Sequence, residues 1–304
     1  MKKFFPFIPY LLGWAVLFYT QSLSEISLVN GVLQMTLFLF VVCIPAWKTG
    51  RMSYVDIAWP WGLVLIGVLT LFLGEGYWLR KVLVSFVYIF MGLRMGLGAL
   101  KMWKMGLLDR ELPRYQFQHR RWEKAKISNT SVVMQVDILL QGLANASFLA
   151  MPAFIIGANT SEALSIFEWL GLLLWVIAFG IESVSDIQKL KFMQDMKDQG
   201  LKNKVCNVGL WRYSRHPNYF AEWMVWNALL VASVPSMLIL FSTESLLLCI
   251  PLVLGLLFVS RIMYFTLVYY TGAVPAEFYS VQKRPEYKRY QETTNIFFPG
   301  KPKS

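Results

Sequence analysis

The chain has 304 residues, of which 56% are hydrophobic and only 15% are charged. A soluble domain of this length would be far more polar, so the composition excludes one and predicts a helical protein that crosses a membrane several times. The net charge of +11 would suit nucleic acid, but the distribution of the basic residues along the chain argues against that partner.

Apolar runs near the length needed to cross a bilayer follow one another with short gaps. We predict an all-α fold with about eight transmembrane helices in one membrane domain, residues 1–304. The first run follows two lysines, as in a signal peptide, but no small-residue cleavage site follows it, so we keep it as a span. Without this first run, the predicted number of transmembrane helices is seven. The predicted spans are residues 4–20, 27–46, 54–74, 79–100, 131–158, 164–184, 219–241 and 246–270.

The gaps between these spans alternate between basic and nearly uncharged segments. Lys2 and Lys3 form the first basic segment, and the long basic segments are 101–130, 185–218 and the tail after 271. With eight spans, 25 of the 29 Lys and Arg residues fall on one side. This positive-inside pattern predicts that both termini are cytoplasmic and that the basic residues contact anionic membrane lipids.

Metal and nucleotide-loop chemistry is not indicated. Cys43, Cys206 and Cys249 are single and unspaced, and the whole chain has only two histidines, so we predict no disulfide framework and no metal site. The sequence also has no Rossmann glycine motif after a strand, no P-loop and no nucleophile elbow. Any nucleotide would therefore be bound by membrane helices and their loops.

Charged residues inside the apolar spans are costly and are often functional. Under the predicted topology six of them, on six different helices, lie in the cytoplasmic half of the membrane, whereas Arg80, Lys81 and Glu168 lie close to the outer interface. One interpretation is a polar cavity open to the cytoplasm, and the other is pairing between helices, for instance of Arg94 with Asp137. The six residues are Asp56, Arg94, Asp137, Glu182, Glu222 and Arg261.

The start of the seventh predicted span, "GLWRYSRHPNYFAEW", is unusually polar. Pro217 suits the first turn of a helix, and Asn218 and Glu222 are four residues apart, so they share a helix face. A helix N-terminus attracts anions, and three basic residues precede it. The stretch therefore fits an anionic ligand such as a phosphate, or else a basic anchor that contacts lipid headgroups. The three residues are Arg212, Arg215 and His216.

Two other cytoplasmic segments carry suitable side chains. Asp186 and Lys189 lie just outside the sixth predicted span, and the tail carries Glu277, Arg284 and Tyr287. Tyrosine and arginine together can sandwich a flat ring and hold a phosphate. An amphipathic helix at the membrane surface is the alternative for the tail.

Three blocks in order resemble the C-terminal domain of the steroid 5α-reductase family: "SDIQKLKF", "NVGLWRYSRHPNYFAEW" and "PAEFYSVQKRPEYKRYQETTNIFFP". The likeness is strong over about residues 180–300 and is closest to bacterial members of unassigned function. It extends weakly to "SYVDIAWPWG". The "RHPNY" block alone is also typical of isoprenylcysteine carboxyl methyltransferases.

The resemblance implies an enzyme of the bacterial cytoplasmic membrane that uses NADPH from the cytoplasm to reduce a carbon–carbon double bond conjugated to a carbonyl. One block of the family matches Asn218, Tyr219 and Glu222. The family's aspartate in the preceding cytoplasmic segment matches Asp186, and its closing tyrosine region matches Tyr287. The resemblance implies that these residues contact nicotinamide and phosphate. Ala221 stands where the family usually has glycine. The predicted cofactor residues are Asp186, Lys189, Arg212, Arg215, His216, Asn218, Tyr219, Glu222, Glu277 and Tyr287.

Three functions follow as hypotheses. The first is an NADPH-dependent reductase of a lipid-soluble, steroid-like or isoprenoid-like substrate, in which a protonated Glu222 or Asp56 is the catalytic hydrogen-bond donor to the carbonyl. The second is a membrane methyltransferase that uses S-adenosylmethionine, although Glu277 lacks the acidic neighbour that such enzymes place after the last span. The third is a non-enzymatic scaffold or lipid-binding protein.

Overall fold

The structure is a computed structural model that describes residues 5–303. Helices make up 78% of the described residues, and those residues form no strand, which confirms the all-α prediction. Lys2 and Lys3 lie outside the described residues, as do the first position of the first predicted span and Ser304. The α-helices of the described residues are α1 (Ile8–Tyr19), α2 (Ser24–Phe38), α3 (Ile44–Thr49), α4 (Val55–Leu73), α5 (Trp78–Lys104), α6 (Pro113–Lys124), α7 (Thr130–Ala146), α8 (Met151–Gly157), α9 (Ile166–Asp198), α10 (Pro217–Thr243), α11 (Leu246–Phe265), α12 (Ala273–Lys283) and α13 (Tyr287–Thr293).

Seven helical segments of the described chain are long and apolar enough to cross a membrane, which is the lower of the two predicted counts. The first predicted span corresponds to α1, whose 12 residues cover only about 18 Å of a hydrocarbon core about 30 Å thick. The prediction that both termini lie on one side requires an eighth crossing and stays a prediction. The seven segments are Gln21–Thr49, Val55–Leu73, Trp78–Lys104, Thr130–Gly157, Ile166–Asp198, Pro217–Thr243 and Leu246–Lys283.

The chain divides into two compact units, and the prediction of one membrane domain over residues 1–304 stays a prediction. Unit 1 comprises Met1–Trp169 and Leu230–Val259, and unit 2 comprises Leu170–Leu229 and Ser260–Ser304. Every predicted cofactor residue belongs to unit 2, and Asp56 belongs to unit 1.

Unit 1 contains a network of buried amide side chains that joins α2, α4 and α7. Gln34 donates to the carbonyl of Gly62 at 2.8 Å and to the Asn30 side chain at 3.1 Å. Asn145 donates to the carbonyl of Trp59 at 3.1 Å, and Asn30 donates to the carbonyl of Asn145 at 3.3 Å. An unsatisfied amide in an apolar interior is costly, so these bonds fix the rotation of the three helices relative to one another.

Unit 2 is built from the long helix α9, the first half of α10, the end of α11 and the C-terminal helices. The α9 helix continues to Asp198, 14 residues beyond the predicted end of its span. The α11 helix passes into a π-helical turn, Thr266–Tyr270, and the chain then bends at Gly272 to begin α12. A side chain at Gly272 would overlap the carbonyl oxygen of Leu267, so the bend requires glycine.

Candidate functional site

The predicted pair Asp186 and Asn218 meets in unit 2. Asn218 is in the first turn of α10, and its amide nitrogen donates to the Asp186 carboxylate on α9 at 3.1 Å. The carboxylate accepts only, so this bond fixes the amide with its nitrogen toward Asp186. The oxygen of the Asn218 amide is buried and has no hydrogen-bond partner among the described residues.

The start of α10 is held by the segment that precedes it. Pro217 is the first helical residue, as predicted, and the backbone N–H of His216 donates to the Ser214 hydroxyl at 3.1 Å. The His216 ring stacks on Tyr219, with ring centroids 5.2 Å apart and an angle of 4° between the planes. The predicted residues His216 and Tyr219 therefore form one stacked pair at the helix N-terminus.

Glu277 on α12 is the centre of a buried polar cluster. Its carboxylate accepts two bonds from the Arg215 guanidinium, at 2.6 and 3.1 Å. It also accepts a hydrogen bond of 2.6 Å from the side-chain amide of Gln291, and one of its oxygens lies 3.1 Å from the Nε2 atom of His216. Glu277, Arg215 and His216 are all buried. The three predicted residues come together, but they bind one another.

Arg215 also attaches the C-terminal segment to the start of α10. Its Nη1 atom donates to the carbonyls of Gln291, at 3.0 Å, and Thr294. Beside it, the Ser214 hydroxyl donates to the carbonyl of Phe297 at 2.8 Å. Each guanidinium nitrogen of Arg215 thus has an acceptor within the protein, and its role as a ligand of an external phosphate stays a prediction.

A cavity of about 70 Å³ opens beside this cluster. Lys189 lies on one side of it, with its ammonium 4.2 Å from the ring centroid of Trp211. Tyr287 and Tyr290, both buried, lie on the C-terminal side. The lining combines several cations and phenols and includes no carboxylate. The residues used below are Lys189, Lys204, Cys206, His216, Arg284 and Tyr287.

Burial decides the protonation of the side chains around the cavity. It lowers the pKa of His216, although the nearby Glu277 opposes the shift, so the imidazole is neutral at neutral pH. Burial also raises the pKa of Tyr287, assisted by the charge of Glu277. Burial raises the pKa of the Cys206 thiol despite the neighbouring Lys189, and a neutral thiol is a poor nucleophile.

The remaining predicted residues are more scattered. Glu222 is half-buried on α10, one turn after Asn218, whereas Arg212 is exposed. Asp56, the other predicted acid, is at the start of α4 in unit 1. It is bound to the Arg114 guanidinium and accepts a hydrogen bond from the Tyr115 hydroxyl at 2.6 Å. Asp56 therefore acts there as a hydrogen-bond acceptor.

The six charges inside the predicted spans do not behave alike. Asp137 accepts a hydrogen bond from Gln118 at 3.1 Å, and Asp56 forms an ion pair with Arg114. Arg261 is exposed on α11. The polar cavity that these six residues were expected to share stays a prediction.

Sequence reasoning missed several residues of the site. Lys204 and Cys206 line the cavity, Trp211 contacts Lys189, and Gln291 binds Glu277. Lys204 is one of seven basic residues in the segment 185–218, so the sequence did not distinguish it as a cavity residue. The Gln291 bond joins positions 14 apart in different helices, and no helical spacing predicts such a contact.

The fold and this cluster define a polytopic helical membrane protein with a basic, tyrosine-lined cavity beside the start of one long apolar helix. A family model described as a protein of unknown function (DUF1295) matches residues 39–294, which is most of the chain, and the chain belongs to that family. Neither the curated proteins nor the solved structures include a match to it.

Proposed function

We propose that this protein is a membrane-embedded reductase that uses NADPH to reduce a carbon–carbon double bond conjugated to a carbonyl in a lipid-soluble substrate. The observation that carries the proposal is the amide of Asn218, which Asp186 holds with its oxygen buried and unpaired among the described residues. The resemblance of residues 180–300 to steroid 5α-reductases supports the same activity. We place the enzyme in the bacterial cytoplasmic membrane, with its cofactor site on the cytoplasmic side.

The side chains present fit the cofactor's functional groups. A buried, unpaired amide oxygen is costly, and a donor such as the carboxamide N–H of nicotinamide would satisfy it. Lys189 and Arg284 supply positive charge to the cavity lining, and guanidinium and ammonium groups are the usual ligands of phosphate. The phenol of Tyr287, kept protonated by burial, is a further hydrogen-bond donor.

The cavity limits which part of the cofactor it can take. Its volume of about 70 Å³ is far below the roughly 300–1,000 Å³ of pockets that enclose a whole ligand. The cavity therefore suits one phosphate group, and the rest of a dinucleotide would lie outside it, along α10.

The chain's own residues would then bind and polarise the reactants. NADPH, when bound, supplies the hydride that a conjugated double bond requires. Glu222, one turn beyond Asn218 on α10, would in its protonated form donate a hydrogen bond to the substrate carbonyl, where negative charge develops. We favour Glu222 over Asp56 for this role because Glu222 shares α10 with Asn218 and follows it by one turn.

The test is thermal stabilisation of the detergent-purified protein by NADPH, NADH and S-adenosylmethionine. A ligand that binds only the folded form, at 100 times its dissociation constant, adds about 2.7 kcal/mol of stability. Lys189→Gln and Asn218→Ala should each reduce the shift with NADPH. Lys197→Gln is the matched control, because Lys197 is an exposed lysine two turns further along α9.

The three ligands separate the hypotheses. A shift with NADPH that both site variants reduce and Lys197→Gln retains would support the reductase and justify a screen of lipid enones for NADPH oxidation. A shift with S-adenosylmethionine alone would favour a methyltransferase. No shift with any ligand, in a preparation with a cooperative unfolding transition, would favour a scaffold or lipid-binding protein.

A further inference from the structure

One face of α11 is exposed along its whole length and carries a single charge. Its apolar members include Leu247, Leu254 and Leu257, which are 86%, 60% and 60% exposed. Arg261 occupies the next position of the same face, four residues after Leu257, and Phe265 follows four residues later. Side chains at these intervals are neighbours on a helix surface, so Arg261 interrupts a stripe that otherwise suits lipid tails.

Arg261 is well inside the helical segment. The helix continues for nine residues to Tyr270 at the end of the π-helical turn, a distance of about 14 Å. A charged side chain at the centre of a bilayer costs about 2.5–3.5 kcal/mol on insertion scales, and an arginine lowers that cost by extending its guanidinium toward a polar group. Within residues 5–303, Arg261 forms no hydrogen bond and no ion pair, so that polar group belongs to another molecule.

Two phenols accompany the guanidinium. Tyr264 is one turn after Arg261 on the same helix, and its ring contacts the ring of Tyr269 edge to face, with the ring centroids 6.1 Å apart. Tyr269 is 45% exposed and lies in the π-helical turn. Such turns are frequent at functional sites. A guanidinium and a hydroxyl beside an apolar stripe are complementary to a phosphodiester that is attached to acyl chains.

We propose that Arg261 and Tyr269 form a binding site for the phosphate of a membrane phospholipid, whose acyl chains lie along Leu257, Leu254 and Leu247. The site is separate from the cavity beside Glu277, and it does not depend on the proposed reductase activity. It holds one lipid against the junction of α11 and the π-helical turn.

The charge pattern favours a lipid over a second copy of the chain. No residue of this stripe is acidic, so a partner helix presenting the same stripe would offer no carboxylate to Arg261. A two-fold symmetric contact would bring equivalent surfaces together and place the two arginines close to each other. The repulsion would destabilise such a dimer, whereas a phosphodiester supplies the missing negative charge.

The experiment is native mass spectrometry of the full-length protein, first as purified in mild detergent and then after delipidation and addition of phosphatidylglycerol or diacylglycerol. We expect about one phospholipid per chain, rebinding of phosphatidylglycerol and no rebinding of diacylglycerol, which lacks the phosphate. Arg261→Gln should weaken retention of phosphatidylglycerol about tenfold or more, as expected for loss of a charge-assisted hydrogen bond. Arg261→Lys should recover part of it.

Leu257→Ala is the matched control, because it changes the same stripe without removing the charge, and it should retain most of the bound phospholipid. The unfolding midpoint of each variant shows whether it is folded. Equal retention by the wild type and a folded Arg261→Gln variant would overturn the proposal. Equal rebinding of diacylglycerol would also overturn it, and so would a wild-type dimer that Arg261→Gln converts to a monomer with no lipid in either.

Discussion

The buried cluster around Glu277 makes a quantitative prediction about stability. Glu277 and Arg215 are 6% and 8% exposed, and the carboxylate accepts two bonds from the guanidinium. The substitution Glu277→Gln keeps the volume but removes the charge, so it leaves Arg215 buried without its counterion. Breaking a buried ion pair on one side costs about 3–5 kcal/mol. At about 2–4 °C per kcal/mol, the unfolding midpoint should fall by on the order of 10 °C.

The assay is thermal unfolding in detergent, followed by intrinsic tryptophan fluorescence. Glu286→Gln is the control in the same unit, because the Glu286 and Lys204 ion pair is exposed and should contribute only about 0–1 kcal/mol. The double variant Arg215→Gln, Glu277→Gln removes both charges and should be less destabilised than the sum of the single variants. A midpoint for Glu277→Gln within a degree of that for Glu286→Gln would refute the reasoning.

Three further predictions can be checked with the same assay. Gly272→Ala should prevent folding or lower the midpoint steeply, because its methyl group would overlap a backbone carbonyl, whereas Gly98→Ala, in open space on a helix, should be neutral or gain up to about 1 kcal/mol. The pKa of His216 is lowered by burial, so the unfolded chain binds more protons than the folded one below about pH 6.5. The midpoint should therefore fall as the pH drops from 7.5 to 5.5, and His216→Gln should fall less over that range; equal slopes would contradict the assignment. Tyr115→Phe removes a hydrogen bond to the Asp56 carboxylate and should cost about 1.5–3 kcal/mol, and an unchanged midpoint would show that this bond contributes nothing.

Hydropathy predicted the long helices well because each span is defined by its own residues. The predicted span 54–74 is α4, Val55–Leu73, and the first helical turn predicted at Pro217 is the start of α10. Hydropathy did not predict the end of α9, because a helix that leaves the lipid keeps its backbone hydrogen bonds while its side chains become polar. It also overestimated α1, since an apolar run marks residues that tolerate lipid and does not fix where a helix ends.

The sequence indicated which residue types belong to the candidate site, but only partly which of them contact one another. Asn218 donates to Asp186, a contact that the sequence did not specify, and their membership of a cofactor site stays a prediction. For Arg215 and Glu277, the sequence indicated charges but not that they would pair across 62 positions. Arg261 shows a second limit of the sequence. The depth of a residue in a span can be counted along the chain, but which face of the helix is exposed depends on how the neighbouring helices pack.

The bonds from the C-terminal segment to the start of α10 determine when the cavity can form. Residues 287–300 supply the carbonyls that Arg215 and Ser214 bind, and Tyr287 lines the cavity itself. This stretch follows the last of the seven apolar segments of the described chain. A nonsense mutation just before residue 287 would therefore leave every one of those segments in place and yield a chain in which the cavity cannot close.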